Sequence, residues 1–77
     1  MRITDLVPGE TYVVTEPFRD DRGVLVQAGD RQTFEAYSFL PDAGGFAVRF
    51  RQETLVLHED RQAHVVEHAE RFLQPVD

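Results

Sequence analysis

The chain has 77 residues, with 8 basic and 14 acidic side chains and a formal net charge of −6. It contains no cysteine, which excludes disulfide bonds, a thiolate nucleophile and cysteine-ligated zinc. A sequence pI near 4.9 argues against a nucleic-acid partner, because nucleic-acid binding needs a basic surface.

A chain of this length is expected to form one domain that spans residues 1–77. Its first residues do not lead into the apolar segment of a signal peptide. The longest apolar runs have three residues, such as Val24-Leu25-Val26, whereas a membrane-spanning helix needs roughly 20. We therefore predict a cytoplasmic protein that has no membrane partner.

Turn-forming residues recur at short intervals through the first part of the chain. The segments between them are rich in β-branched and aromatic side chains, a spacing typical of a small all-β sandwich or barrel. We predict five strands, over residues 11–18, 24–27, 31–40, 46–51 and 53–58. The fourth strand alternates most clearly, since its large apolar side chains, Phe46, Val48 and Phe50, point one way, and Ala47, Arg49 and Arg51 point the other. One face of that strand is therefore predicted to be buried and the other wet.

The periodicity becomes helical toward the C-terminus. Val65, Ala69 and Phe72 fall on one stripe of a helix that we predict over residues 60–74. Such a helix is marginal in water on its own, so this stripe should dock on the sheet. The fold expected from these elements is mainly β, a small five-stranded SH3-like barrel over residues 9–58 with one C-terminal α-helix.

Four short strings of residues carry a family resemblance. They are Gly9-x-x-Tyr12-x-Val14, Phe18-x-Asp20-x-x-Gly23, Ala28-Gly29-Asp30 and Tyr37-Ser38-Phe39-Leu40-Pro41-Asp42-x-Gly44-Gly45. Over residues 9–73 the chain resembles a family of small bacterial proteins known only as a domain of unknown function. It departs from that pattern at Asp30, where Glu is common, and at Asp42-Ala43, where Tyr-Asp is usual. The resemblance implies a compact single domain and brings no catalytic residue or ligand.

The three histidines are the only candidates for a metal site. His64 and His68 have the i, i+4 spacing that can chelate a metal on a helix, and His58 lies just upstream. Arg61 and Arg71 fall on the same predicted helical side, and their charges repel a divalent cation. A solvated helix face is the favoured interpretation, with a metal site or a pH-sensitive contact surface as alternatives. We predict no cofactor.

Strands three and four carry the candidate binding site. If Phe34 faces the core, strict alternation turns Tyr37 and Phe39 outward, toward the wet face that holds Arg49 and Arg51. Aromatic and arginine side chains are enriched at interface hot spots. Two alternatives remain: the arginines merely stack on the exposed rings, or the C-terminal helix covers this face.

The leading functional interpretation is a non-enzymatic module that binds a protein or peptide. Ser38 is the sole serine and lies within a predicted strand, so no spacing supports a catalytic triad. An immunity or antitoxin protein that inhibits a basic toxin is one alternative, because an acidic chain complements a basic partner. A small metal- or ligand-binding protein that uses the histidines is another. Exposed aromatic residues at a strand edge are also compatible with a homodimer.

Overall fold

Seven β-strands and one short α-helix are present in residues 1–76, the part of the chain that the computed structural model describes. The helix, α1, spans Ala63–Glu67, and 3-10 turns span Ile3–Asp5 and Ala69–Arg71. The strands are β1 Thr11–Val14, β2 Phe18–Arg19, β3 Leu25–Val26, β4 Arg31–Leu40, β5 Gly45–Phe50, β6 Thr54–His58 and β7 Leu73–Pro75. The predicted mainly β class is confirmed.

Five of the strands form one antiparallel sheet in the order β6-β5-β4-β1-β7, and β2 pairs with β3 in a separate hairpin. The predicted third strand, residues 31–40, matches β4 at both ends. The first predicted strand, residues 11–18, is instead divided between β1 and β2. The break falls at residues 15–17, next to Pro17, which has no N–H to donate to a ladder.

The core lies on one face of the sheet. The alternation predicted for β5 is confirmed, because Phe46, Val48 and Phe50 are all buried there. The Phe34 and Phe50 rings meet edge to face with their centroids 6.0 Å apart. Full burial of one such side chain contributes roughly 1.5–3 kcal/mol. α1 contributes Val65 to the same core.

The long C-terminal helix predicted over residues 60–74 is wrong. α1 ends at Glu67, and the backbone of His68 takes non-helical angles, φ −130° and ψ 53°. The chain then forms β7, in which Leu73 lies opposite Val14 of β1. A helix as short as α1 gains little from local propensity, so tertiary contacts decide the structure here. Pairing with β1 buries Leu73 and satisfies the backbone of both strands.

Across residues 1–76, no helix has the length and apolar character needed to cross a membrane.

Candidate functional site

A one-residue bulge in β4 reorganises the predicted binding site. Phe34 lies opposite Phe50, but Ala36 lies opposite the next residue of β5, Arg49, so β4 carries one extra residue at Glu35. Side chains that oppose each other in an antiparallel pair share a face of the sheet. The bulge therefore reverses the in–out alternation of β4 beyond Glu35.

The prediction that Tyr37, Phe39, Arg49 and Arg51 share one wet face is wrong for this reason. Tyr37 lies opposite Val48 and Phe39 opposite Phe46, so both rings project on the core side of the sheet. Strict alternation is counted from Phe34 along one strand. It therefore cannot detect an extra residue that has no residue opposite it on the partner strand.

Arg49 lies on the opposite face, where Ser38 opposes Ala47. Its Nε is 3.3 Å from Oε1 of Glu35. Beside it is a shallow depression of about 270 Å³ lined by Ala36, Ser38, Ala47, Arg49 and Thr54. Arg51 is exposed and follows the end of β5. Since Arg49 and the two rings lie on opposite faces, stacking of Arg49 on those rings is excluded.

The two rings pack beside Phe46, and we call Tyr37, Phe39 and Phe46 together the aromatic shelf. The centroid of Phe46 is 6.0 Å from that of Tyr37 and 5.5 Å from that of Phe39. Phe46 is buried, whereas Tyr37 and Phe39 are 46% and 55% exposed. The alternative in which a C-terminal helix covers the two rings is therefore wrong, and α1 packs against β6 instead.

The backbone next to this shelf is an unpaired strand edge. β1 pairs with β4 only along Arg31–Thr33, and Phe34 then exchanges hydrogen bonds with Gly9 and Glu10. Among residues 1–76, nothing pairs with residues 35–40 on the side away from β5. An unpaired edge presents a row of N–H and C=O groups to a further strand. We call residues 35–40 the open edge.

The β6 edge, by contrast, is closed by the turn that follows β2. The N–H of Val56 donates to Oδ2 of Asp20 at 3.0 Å, and the carbonyl of Val56 accepts from the N–H of Asp21 at 2.7 Å. Nη2 of Arg22 donates to the carbonyl of Thr54 at 2.6 Å. At the other side of the sheet, β7 has three residues and ends in Pro75, which lacks an N–H.

Asp20 is the buried carboxylate at the centre of this closure, and its side chain is fully shielded from solvent. Oδ1 accepts from the N–H groups of Arg22 and Val24, and Oδ2 accepts from Val56 N–H and Arg22 Nε. Burial raises the pKa of Asp20, but these hydrogen bonds more than offset it and lower the pKa below its ordinary value. Sequence reasoning placed Asp20 in a turn and missed its contact with β6, which is distant along the chain.

The prediction that Arg61 and Arg71 lie on one side of a C-terminal helix is wrong, since both lie outside α1. Arg61 precedes α1 and pairs with Asp21, its Nε 2.6 Å from Oδ1 and its Nη2 2.9 Å from Oδ2. The hydrogen bond from Arg61 lowers the pKa of the Asp21 carboxyl. The pair therefore links the β2–β3 hairpin to the turn before α1.

The histidines are separated by their local contacts. Nδ1 of His58 accepts hydrogen bonds from the N–H groups of Asp60 and Arg61. The His64 ring meets Phe72 edge to face at 5.5 Å, and His68 is exposed. Within residues 1–76, no group of three histidine or acidic side chains is arranged to hold a metal ion.

No model of a known protein family and no curated protein matches the chain. Among solved structures, the chain is similar to an integron cassette protein from the mobile metagenome of Vibrio cholerae. The two chains are 23% identical and superpose with a TM-score of 0.88, over 94% of this chain and 87% of the other. At this identity the similarity shows a shared fold, a small mainly β domain.

Proposed function

We propose that this chain is a non-enzymatic protein-interaction module that binds an extended segment of a partner along the open edge of β4. The supporting observation is an unpaired strand edge that lies directly beside two half-exposed aromatic rings, Tyr37 and Phe39. In strand addition, the edge supplies main-chain hydrogen bonds and the neighbouring side-chain pockets supply specificity.

The contrast between the sheet edges supports this proposal. Natural proteins protect their edges with short strands, proline, charges or covering loops. This chain closes β6 with the Asp20 turn and shortens β7 at Pro75, yet residues 35–40 stay open. An edge that is open while its counterparts are protected is the expected arrangement where a partner strand binds.

The aromatic shelf supplies the apolar part of the binding energy. Tyr37 and Phe39 keep about half of their surface in water. Since full burial of a large apolar side chain contributes roughly 1.5–3 kcal/mol, covering the exposed part of each ring contributes on the order of 1 kcal/mol. A partner strand with apolar side chains on its shelf side gains this term in addition to the backbone hydrogen bonds.

The charge around the edge favours an uncharged partner segment. Residues 36–40 are Ala-Tyr-Ser-Phe-Leu, and the nearest acid, Glu35, lies beside Arg49. The net charge of −6 is therefore carried elsewhere on the surface. A strongly charged segment would lose hydration here without a compensating ion pair.

Peptides selected from a random displayed library and titrated into the 15N-labelled chain test this proposal. We expect the amide shifts to concentrate at residues 35–40 and around the aromatic shelf. The double variant Tyr37→Ser/Phe39→Ser should lose binding and remain folded. The matched control is Leu25→Ser, which removes a comparably exposed apolar side chain from β3, outside the sheet that holds β4, and should bind normally. Shifts centred on Arg49 and Thr54, or equal loss of binding in the two variants, would contradict the proposal.

A further inference from the structure

The sequence of the open edge is complementary to itself. We propose that, as a specific case of the function proposed above, the open edge of β4 pairs antiparallel with the same edge of a second copy of this chain. The two-fold axis passes through Ser38 and joins the two sheets into one. In this dimer, the open edge of each copy is paired with that of the other.

The faces of the sheet restrict the registers available. A two-fold axis perpendicular to the sheet keeps the core faces of both copies on the same side, so opposed residues must share a face. With the axis at Ser38, Tyr37 lies opposite the partner's Phe39 and Ala36 opposite the partner's Leu40. The two copies then form two aromatic pairs on the shelf side and two aliphatic pairs on the other side.

Neighbouring registers fit less well. An axis at Tyr37 would bring the partner's Leu40 opposite Phe34, where Gly9 and Glu10 already occupy the edge. An axis at Phe39 would leave only residues 38–40 paired and would replace the two Tyr37–Phe39 pairs with a single Phe39–Phe39 pair. The Ser38 register uses residues 36–40 of each copy, and the turn at residues 41–44 directs each chain away before it reaches the occupied edge.

Three observations favour a second copy over an unrelated strand. The edge itself carries the apolar, uncharged sequence that its partner needs. No charged residue lies within the paired segment 36–40, and Glu35 at its end lies beside Arg49. The arm formed by β4 and β5 also projects past the end of β1, and residues 37–39 on it are exposed, which leaves the edge accessible.

Opposite charges placed on the axis provide the decisive test. Light scattering and sedimentation over a concentration series that reaches the millimolar range should show a species of twice the 8.8 kDa chain mass. Ser38→Lys and Ser38→Asp should each be monomeric, because like charges meet on the axis, and an equimolar mixture of the two should dimerise again. Thr54→Lys and Thr54→Asp, at an exposed position on β6, are the matched controls and should dimerise as the wild type does.

Cross-linking tests the same register with smaller side chains. Because the chain has no cysteine, Ser38→Cys should oxidise to a covalent dimer with itself. Ala36→Cys and Leu40→Cys should cross-link when mixed with each other and not alone. Glu16→Cys, at an exposed site away from β4, reports random collision.

Each outcome decides between the two proposals. A wild-type chain that stays monomeric, or a dimer that Ser38→Lys leaves intact, overturns the inference. If the monomer still binds selected peptides along residues 35–40, the proposed function holds and only the second copy is removed. If the chain neither dimerises nor binds peptides there, both proposals fail.

Discussion

Replacing Asp20 by asparagine should destabilise this protein far more than replacing any other acidic residue by its amide. The substitution keeps one oxygen, which can still accept from the N–H groups of Arg22 and Val24. It turns the other oxygen into an NH₂ group that faces two donors, Val56 N–H and Arg22 Nε. The N–H of Val56 then has no acceptor, and the edge of β6 loses its closure.

The magnitude follows from those contacts. A hydrogen bond to a charged group contributes about 1.5–3 kcal/mol, and a buried donor without a partner costs about 1–3 kcal/mol. Because these terms overlap, we expect Asp20→Asn to lower the free energy of unfolding by about 2–4 kcal/mol. At about 4–8 °C per kcal/mol for a domain of this size, the melting temperature should fall by about 8–32 °C.

Acid titration tests the role of Asp20 independently, because the direction of its effect on stability follows from the pKa. The folded pKa of Asp20 lies below its ordinary value of 3.8. Its stabilisation is therefore complete above that value and is lost as the pH falls through the folded pKa. The wild type should lose stability over this window, and Asp20→Asn should lose less, because the titrating group is gone.

Urea unfolding of the wild type, Asp20→Asn and Asp42→Asn measures these differences. Asp42 is exposed in the β4–β5 turn, and its neutralisation should change the free energy of unfolding by less than about 0.5 kcal/mol. Hydrogen exchange at the Val56 amide should accelerate in Asp20→Asn. Equal effects of the two substitutions, or an unchanged acid limb, would refute the role assigned to Asp20.

Three further predictions concern other parts of the chain. Gly45→Ala should cost several kcal/mol in urea unfolding, because its Cβ would lie 2.1 Å from a backbone oxygen of β6, whereas Gly23→Ala, with φ 85° and open space around it, should cost about 1–2 kcal/mol. Leu73→Ala, at a buried position of β7, should cost about 2–5 kcal/mol, and a value below 1 kcal/mol would contradict the docking of β7. The hydrogen bond from the Met1 amine lowers the pKa of Glu70, so acetylation of that amine should move the NMR titration of the Glu70 carboxyl upward toward 4.5.

Local patterning was sufficient for the central strands. The alternation of Phe46, Val48 and Phe50 with Ala47 and Arg49 predicts which face of β5 is buried, and the structure agrees. The bounds of β4 also follow from the turn residues on either side of it. These features depend on each segment burying one face, and that requirement is visible within the segment itself.

Only part of the candidate site could be predicted from local patterning. Strict alternation predicts that Tyr37 and Phe39 are exposed on the wet face, whereas they are exposed on the core side of the sheet. It cannot place them relative to Arg49, because the bulge at Glu35 exists only in the pairing between β4 and β5. The apolar stripe ending at Phe72 likewise predicts a helix, because the sequence does not show that the residues after it pair with β1 as a strand.

This protein's sequence by itself determines that the chain is mainly β and which side chains of its best strands are buried, since those properties arise from neighbours along the chain. The tertiary structure alone decides which face carries the aromatic rings, which edges are closed and which edge stays open. Those properties depend on register and on contacts such as that between Asp20 and Val56, which join residues far apart in sequence. A one-residue difference in pairing moves a side chain to the other face of the sheet, and that difference is not visible in the sequence of one strand alone.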